Sequence, residues 1–581
     1  MAVARTARPG SFLRLVGLMN ATNMLADRVW KRWLELDPLA EREPTSNVLG
    51  VGDGSIAEAE AFASAGRQFI SEVETVAEAN VDHEDHLTLE FLRWLLQTWT
   101  ELPARYWFEF PITPYAVHRR EESTRSALRN FTFAEPADTE NYLGLVDSYV
   151  RQVRQIELTL REQVERGVCL SRLAHPAALN QMNSSYHAIV DLVVPSPSRL
   201  SEIGHSRATG LADAVRRLVV HDLAPAYEEL LDYLGGSYAA ELVDGVGLSQ
   251  YRGGEAAYRS AAKYWTTTST TIEELHALGV DQVEMLTDEM ARVRSKLGFG
   301  GTEVEFHQAL AAESQFFAHA PDEVGSRYLA HINRIEPQLS SLFNRLQAAP
   351  YGVKQLEPML EASMTYGFYE APTQLEPRGS YVYNGSALGE RSLLTSASLI
   401  LHELVPGHHL QIAKQLENRQ LPEIRRQSAL STTAYIEGWA EYAAGLGWEL
   451  GAYEDPYDQY GRLSFERFFA QRLVVDTGMN AFGWTLEMGR RFMKANTLES
   501  DVQIESETLR YSTDTPGQAL AYRPGFLDFG ALRQRATDEL GAAFDVREFH
   551  EAVLEAGAMP LWMLSGHVDW WIDQSRPESA I

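Results

Sequence analysis

Leu399-Ile400-Leu401-His402-Glu403-Leu404-Val405-Pro406-Gly407-His408-His409-Leu410-Gln411 sets three histidines and a glutamate within eight positions, in a run otherwise apolar enough to be buried. Imidazole and carboxylate at such spacing are the donors of a metal site. In the H-E-x-x-H pattern, two histidines four apart point the same way along a helix and the intervening Glu serves as general base. Here position 406, where the second His would fall, is Pro, and the next histidines stand six and seven residues beyond His402. On an ideal helix, six residues turn a side chain roughly 120° away, and seven restore the face at a separation of about 10 Å. Neither pair could share a zinc ion, whose bonds to nitrogen run about 2.0 to 2.1 Å. Pro removes an interior hydrogen bond and Gly accepts unusual dihedrals, so the helix can bulge at Pro406-Gly407. The stretch therefore reads as H-E-x-x-P-G-H, a zinc helix with a two-residue insertion. His402 and His408 are the ligands, Glu403 is the base, and His409 is the lesser alternative for the second ligand.

The third ligand is expected from Tyr435-Ile436-Glu437-Gly438-Trp439-Ala440-Glu441-Tyr442. Glu437 and Glu441 share a helix face at i, i+4, so one carboxylate can bind the metal while the other orients a ligand histidine. Two like charges so placed repel unless a cation is near.

Composition narrows the function classes. The 581-residue chain is 45% hydrophobic and has no Gly/Ser linker, low-complexity tract or internal repeat, so one large body is expected. A net charge of −29, with no basic stripe, makes nucleic acid a poor partner. The single cysteine, Cys169, excludes an internal disulfide and any cysteine-rich metal site, which leaves His and carboxylate to hold zinc. Within Met1 to Asn20, Phe12 to Met19 is too short and too broken by Arg14 and Gly17 to form a signal core, and no run of eighteen apolar residues follows. The expectation is a soluble, cytoplasmic protein without a membrane partner.

Helical periodicity dominates. Tyr142 to Arg166 carries apolar residues at Leu143, Leu145, Val146, Val150, Val153, Ile156 and Leu160. Thr271 with Glu274 reads as a capping box opening a helix that runs to Gly298, with His276 as a structural residue on it. Asp82-His83-Glu84-Asp85-His86 is a weak second metal candidate that an acidic helix start explains equally well. Tyr366-Gly367-Phe368-Tyr369 and Gly379-Ser380-Tyr381-Val382-Tyr383-Asn384 read as short strands, either an edge beside the metal that an extended peptide can join or a hairpin capping the core.

The chain also resembles the bacterial domain of unknown function family eight hundred and eighty-five, whose pattern is similar to the gluzincin metallopeptidases, angiotensin-converting enzyme and its relatives. The matching strings are His402-Glu403 through Pro406-Gly407-His408-His409-Leu410-Gln411, Glu437-Gly438-Trp439-Ala440, Arg472-Leu473-Val474-Val475-Asp476-Thr477-Gly478 and Pro516-Gly517-Gln518-Ala519-Leu520-Ala521-Tyr522. Thr271 to Gly279, Phe544-Asp545 and Gly557 to Leu561 are similar too, so most of the chain is covered. The resemblance implies that Tyr383 and Asn384 line the cleft and that the Tyr522 phenol donates to a developing oxyanion, with Gln518 beside it. Asp476 can hold a ligand histidine, cap a helix or pair with Arg472. Arg533 can clamp a substrate carboxylate or belong to a solvated helix face. Two positions depart from the family: Asn480 stands where a histidine is usual, and Ala444 where a glutamate follows E-G-W-A, with Glu441 nearer instead. If the usual histidine donates a proton or binds the tetrahedral intermediate, Asn480 changes turnover or substrate range here.

Together these readings predict a mainly α, two-lobed metallopeptidase-like body with a small β-hairpin or sheet lining a central cleft. Residues 1–350 would form a helical lobe and 351–581 the zinc-site lobe. The expected function is Zn2+-dependent hydrolysis of amide bonds in short peptides. Hydrolysis of a small non-peptide amide, and metal binding without turnover, are the alternatives.

Overall fold

The structure, a computed structural model, describes residues 9–40, 47–78, 81–113, 123–200, 203, 205–357, 361, 367–373, 376–427 and 431–576. Part of the N-terminal stretch, residues 1–8, and Tyr366 of the expected first strand lie outside the described residues. Two units emerge from the packing: residues 1–257 with 512–515, and residues 258–511 with 516–581. The expected division at 350/351 is not where the packing divides. The helix Ile272–Lys296 belongs with the second unit because Gly279 lets it sit directly on Leu473 and Val474 of the helix Pro456–Asn480.

The first unit is helical. Its helix Asp138–Glu165 buries Tyr142, Leu145, Val146, Tyr149, Val150, Val153, Ile156 and Leu160, the periodic stripe visible in the sequence. Asp82 accepts from the Asp85 backbone N–H and caps the helix His83–Arg105, with Glu84 and Asp85 in its first turn. That placement explains the acidic cluster as a helix start. Among the described residues it assembles no set of three ligands.

The second unit holds most of what matters for a site. Thr271 and Glu274 form the expected capping box, and the helix they open ends before Gly298, whose φ is +75°. His276 contacts Thr477 Oγ1 at 2.7 Å and packs on Phe482 and Trp484, a structural histidine. The described strands are β1 (Tyr351–Gln355), β2 (Phe368–Glu370) and β3 (Gly379–Tyr383), in the order β1-β3-β2. β3 runs parallel to β1 and antiparallel to β2, pairing Tyr381 with Val353 and Tyr369. All five residues of β3 are buried, whereas β2 is a short, partly exposed edge. The helix Pro456–Asn480 is buried almost all round from Tyr460 onward, charged residues included, so each charge on it needs a partner. Among the described residues, no helix is long and apolar enough to cross a membrane.

Candidate metal centre

The decisive stretch does not bulge; it breaks. One helix, Ser396–Glu403, stops at Leu404, and a second, His408–Glu417, starts after Gly407. Residues 404–407 turn the chain between them, with a cis peptide bond at Val405-Pro406. A Cβ at position 407 would collide with the His402 carbonyl, so only glycine fits the turn. Trp439 closes it from outside, its indole N–H donating to the Pro406 carbonyl at 3.0 Å.

This break brings His408 back to His402. The two rings lie 4.7 Å apart at 83°. Each presents Nε2 to Glu437 Oε2 at 3.4 Å. Ligand atoms of His402, His408 and Glu437 all fall within 4.8 Å of one another, and among the described residues they form the one such group. A tetrahedral zinc ion with bonds near 2.0–2.1 Å sets its ligand atoms about 3.4 Å apart, the separation of each imidazole Nε2 from Glu437 Oε2, and the donor set fits the ion in kind.

Three residues of Glu437-Gly438-Trp439-Ala440 have a physical task on the helix Thr433–Gly445. Glu437 faces the two imidazoles and Trp439 ties the break. Gly438 lies flat on Gly525 of the helix Tyr522–Leu540: a Cβ there would come within 2.6 Å of the Gly525 Cα. One turn on, the fully buried Glu441 accepts from His402 Nδ1 at 3.3 Å, which leaves Nε2 as the free face of the ring. Glu441 is itself held by Arg462 at 2.8 Å, and Arg462 by Glu466 at 3.0 Å, an ion-pair chain with no exposure at Glu441 or Arg462. Arg523 completes it, pairing with Glu466 at 2.8 Å.

Burial lowers the basicity of the His402 imidazole, but hydrogen bonding to Glu437 and Glu441 and the charge of Glu403 outweigh it and hold its pKa up at about 10. Burial works against ionised Glu437 too, yet the charge of His408 and hydrogen bonds from both imidazoles keep it well below the usual carboxylate range. A pocket whose carboxylates favour positive charge on His402 is one that accommodates a cation. Glu403 differs: burial raises its pKa against the pull of His408 and His402, and it has no hydrogen-bond partner among the described residues. It is the carboxylate left over to accept a proton.

Tyr522 comes in through stacked rings. Phe469 lies parallel to His402 at 5.7 Å and to Tyr522 at 4.8 Å, and the Arg472 guanidinium covers Tyr522 at 4.6 Å. Burial, then the Glu437 charge, raises the phenol's pKa and keeps it protonated as a donor.

The remaining expectations divide. His409 faces away from the cluster: it accepts from the Tyr369 hydroxyl at 3.0 Å and donates to the Ala349 carbonyl at 3.0 Å. Burial brings its pKa down to about 4, so it is a neutral ring fastening β2 to the second helix. Asp476 holds no ligand histidine and does not pair with Arg472. It accepts from the Gly517 N–H at 3.0 and 3.1 Å, from the Tyr258 hydroxyl at 2.6 Å and from Asn480 at 3.2 Å. It thus fixes the turn at Gly517, where φ is +86°, that leads to Tyr522. Arg472 pairs instead with Glu507 at 3.0 Å. Asn480 is fully buried and donates to the carbonyls of Asp476 and Tyr511, each at 3.0 Å. Gln518 accepts from Arg510 at 2.6 Å. Arg533 is no carboxylate clamp, because Glu449 engages it at 2.6 and 2.9 Å. Asn384 accepts from the Ser386 backbone N–H at 2.8 Å and donates to the Glu361 carbonyl at 2.7 Å, while Tyr383 packs on Gly325. Sequence reading missed Trp439, Phe469 and the Arg462–Glu466–Arg523 chain. Arg462 and Glu466 four apart in an otherwise aromatic run were the available signal.

Comparison with known proteins adds the following. A family described as bacterial protein of unknown function (DUF885) matches residues 50–568. The fold resembles the crystal structure of a candidate lipoprotein from Colwellia psychrerythraea, with a TM-score of 0.80 and 22% identity over 96% of this chain and 99% of that one. It also resembles a candidate lipoprotein of unknown function from Shewanella oneidensis, with a TM-score of 0.71 and 15% identity over 94% and 99%. At these identities the likeness shows a shared fold. No curated protein matches the chain.

Proposed function

We propose that this chain, which belongs to the bacterial family DUF885, is a zinc-dependent hydrolase of amide bonds in short peptides. The observation that carries the proposal is the approach of two imidazole Nε2 atoms to Glu437 Oε2 at 3.4 Å each, beside the unengaged carboxylate of Glu403. His402, His408 and Glu437 would hold the ion, and Glu441, backed by Arg462, keeps His402 in the ligating tautomer. Zinc at such a site acts as a Lewis acid and brings the pKa of water down to about 7. Glu403 accepts the attacking water's proton and returns it to the leaving amine. Tyr522 donates to the carbonyl oxygen as negative charge grows on it.

The likeness of the sequence strings to gluzincins supports peptide as the substrate class. A two-lobed metallopeptidase-like body around a cleft is part of the same proposal. The partly exposed edge of β2, fixed to the zinc-site helix through Tyr369 and His409, is suited to aligning an extended peptide. The cytoplasmic location expected from the sequence finds no support in the two similar structures, both described as lipoproteins.

Zinc-loaded protein is expected to cleave members of a mixed short-peptide library, to lose that activity with a chelator and to regain it with added zinc. Cleavage indifferent to chelator removes the metal from the reaction. Turnover of simple amides but not of dipeptides moves the substrate to the non-peptide class.

A further inference from the structure

A cavity of about 740 Å3 opens within the second unit. Ser396 and Leu399 line it, on the helix that carries His402 and Glu403, together with Tyr381 and Tyr383 of β3. Leu399 stands one helical turn before Glu403. Leu310 and Val324 give another part of the wall an apolar surface.

One cation on this wall is uncommitted. Arg391, in the connection from β3 to the helix Ser396–Glu403, uses Nε to bond the Ser386 carbonyl at 2.9 Å. Its two Nη nitrogens have no partner and no acid pairs with it among the described residues. The arginines around the metal centre are all engaged: Arg462 with Glu441, Arg472 with Glu507, Arg523 with Glu466 and Arg533 with Glu449. The acids of the cavity are largely committed too. Glu303 pairs with Arg294 at 3.3 Å, Asp501 with Lys494 at 2.7 Å, and Glu361 accepts from Gln355 and from the Gly385 N–H. Glu390, next to Arg391, is exposed.

We propose that Arg391 binds the free C-terminal carboxylate of the substrate, and that the cavity takes a short peptide or acylated amino acid with an apolar terminal side chain. A planar guanidinium with both Nη nitrogens open matches a carboxylate with two parallel charge-assisted bonds. The apolar wall takes the side chain next to it. Arg391 and the base Glu403 lie within electrostatic reach of one phenol, Tyr328. Burial raises that phenol's pKa, the Glu403 charge adds to the rise, and Arg391 opposes it. Tyr328 and Leu399 line the same cavity as Arg391, so it reaches from Arg391 to the helix that carries Glu403. The inference rests on the hydrolase reading for the bond that is cut; recognition of the carboxylate can be measured without turnover.

N-acetyl-alanyl-phenylalanine and its C-terminal amide serve as probes, titrated by calorimetry into zinc-loaded Glu403→Gln protein with and without a change at Arg391. The acid is expected to bind roughly 10- to 100-fold more tightly than the amide. Arg391→Met should bring the acid-to-amide ratio to about one, and Arg391→Lys should recover part of it, which a misfolded variant would not. Equal affinities in the parent, a ratio that Arg391→Met leaves in place, tighter binding of the amide, or no binding of either probe would overturn the assignment. If wild-type protein hydrolyses both probes without preferring the acid, the hydrolase reading stands and the clamp falls. If it hydrolyses neither but binds the acid through Arg391, the clamp stands and the hydrolase reading falls.

Discussion

On the proposed function, Glu403→Gln is expected to keep zinc and to lose hydrolysis by about 10²- to 10⁴-fold, the range associated with removing a general base. The ligands His402, His408 and Glu437 are untouched by the change, and Glu403 makes no hydrogen bond to them. Glutamine preserves size and shape, so the two helices flanking the break keep their packing. What goes is the ability to accept a proton, at a carboxyl whose pKa burial raises. Metal content by mass spectrometry, read beside kcat on the best library peptide, separates the two effects. Loss of metal would make Glu403 a ligand, and retained turnover would take away its role as base.

Arg462→Met destabilises the fold by about 3–5 kcal/mol, the cost of leaving a buried ion-pair network without one partner. Arg462 is fully buried between Glu441 at 2.8 Å and Glu466 at 3.0 Å. Without it, two buried carboxylates face each other with only Arg523 and the His402 ring nearby. The lost partner of Glu441 also loosens the orientation of His402, so zinc affinity falls by about 10- to 100-fold. Urea unfolding of the zinc-free protein gives the first effect, and competition with a chromogenic chelator gives the second. Wild-type stability in Arg462→Met would mean that the chain of charges is screened by water, and wild-type zinc affinity would mean that Glu441 needs no support.

The sequence made the cluster of His402, His408 and Glu437 legible because its signals are local. Two histidines straddling Pro-Gly, and a glutamate pair four apart on one helix face, constrain chemistry within a few turns of chain. The Thr271–Glu274 capping box and β3 could be read for the same reason. Asp476 shows the limit. It lies on the face of its helix that carries Phe469, but two turns and about 10 Å further along, at the Gly517 turn rather than the metal. Periodicity reports the face and is silent about what lies across from each turn. Arg533 failed for a related reason, since its partner Glu449 is 84 residues away in sequence. Asn480 was marked by its departure from the family string, which carries no information on whether the position faces a cavity or a backbone carbonyl. The domain boundary went astray because strand-like texture beginning at Tyr351 marks a change of element. Packing continues across it through the helix Ile272–Lys296.

The central claim is that His402, His408 and Glu437 grip one ion. Its most direct test is zinc stoichiometry of the full chain after exhaustive dialysis, measured by inductively coupled plasma mass spectrometry for wild type, His408→Ala and Glu437→Gln. The account predicts one zinc per wild-type chain and a large loss of bound zinc in both variants. A zinc-free wild type after loading, or variants that retain a full equivalent, would contradict it.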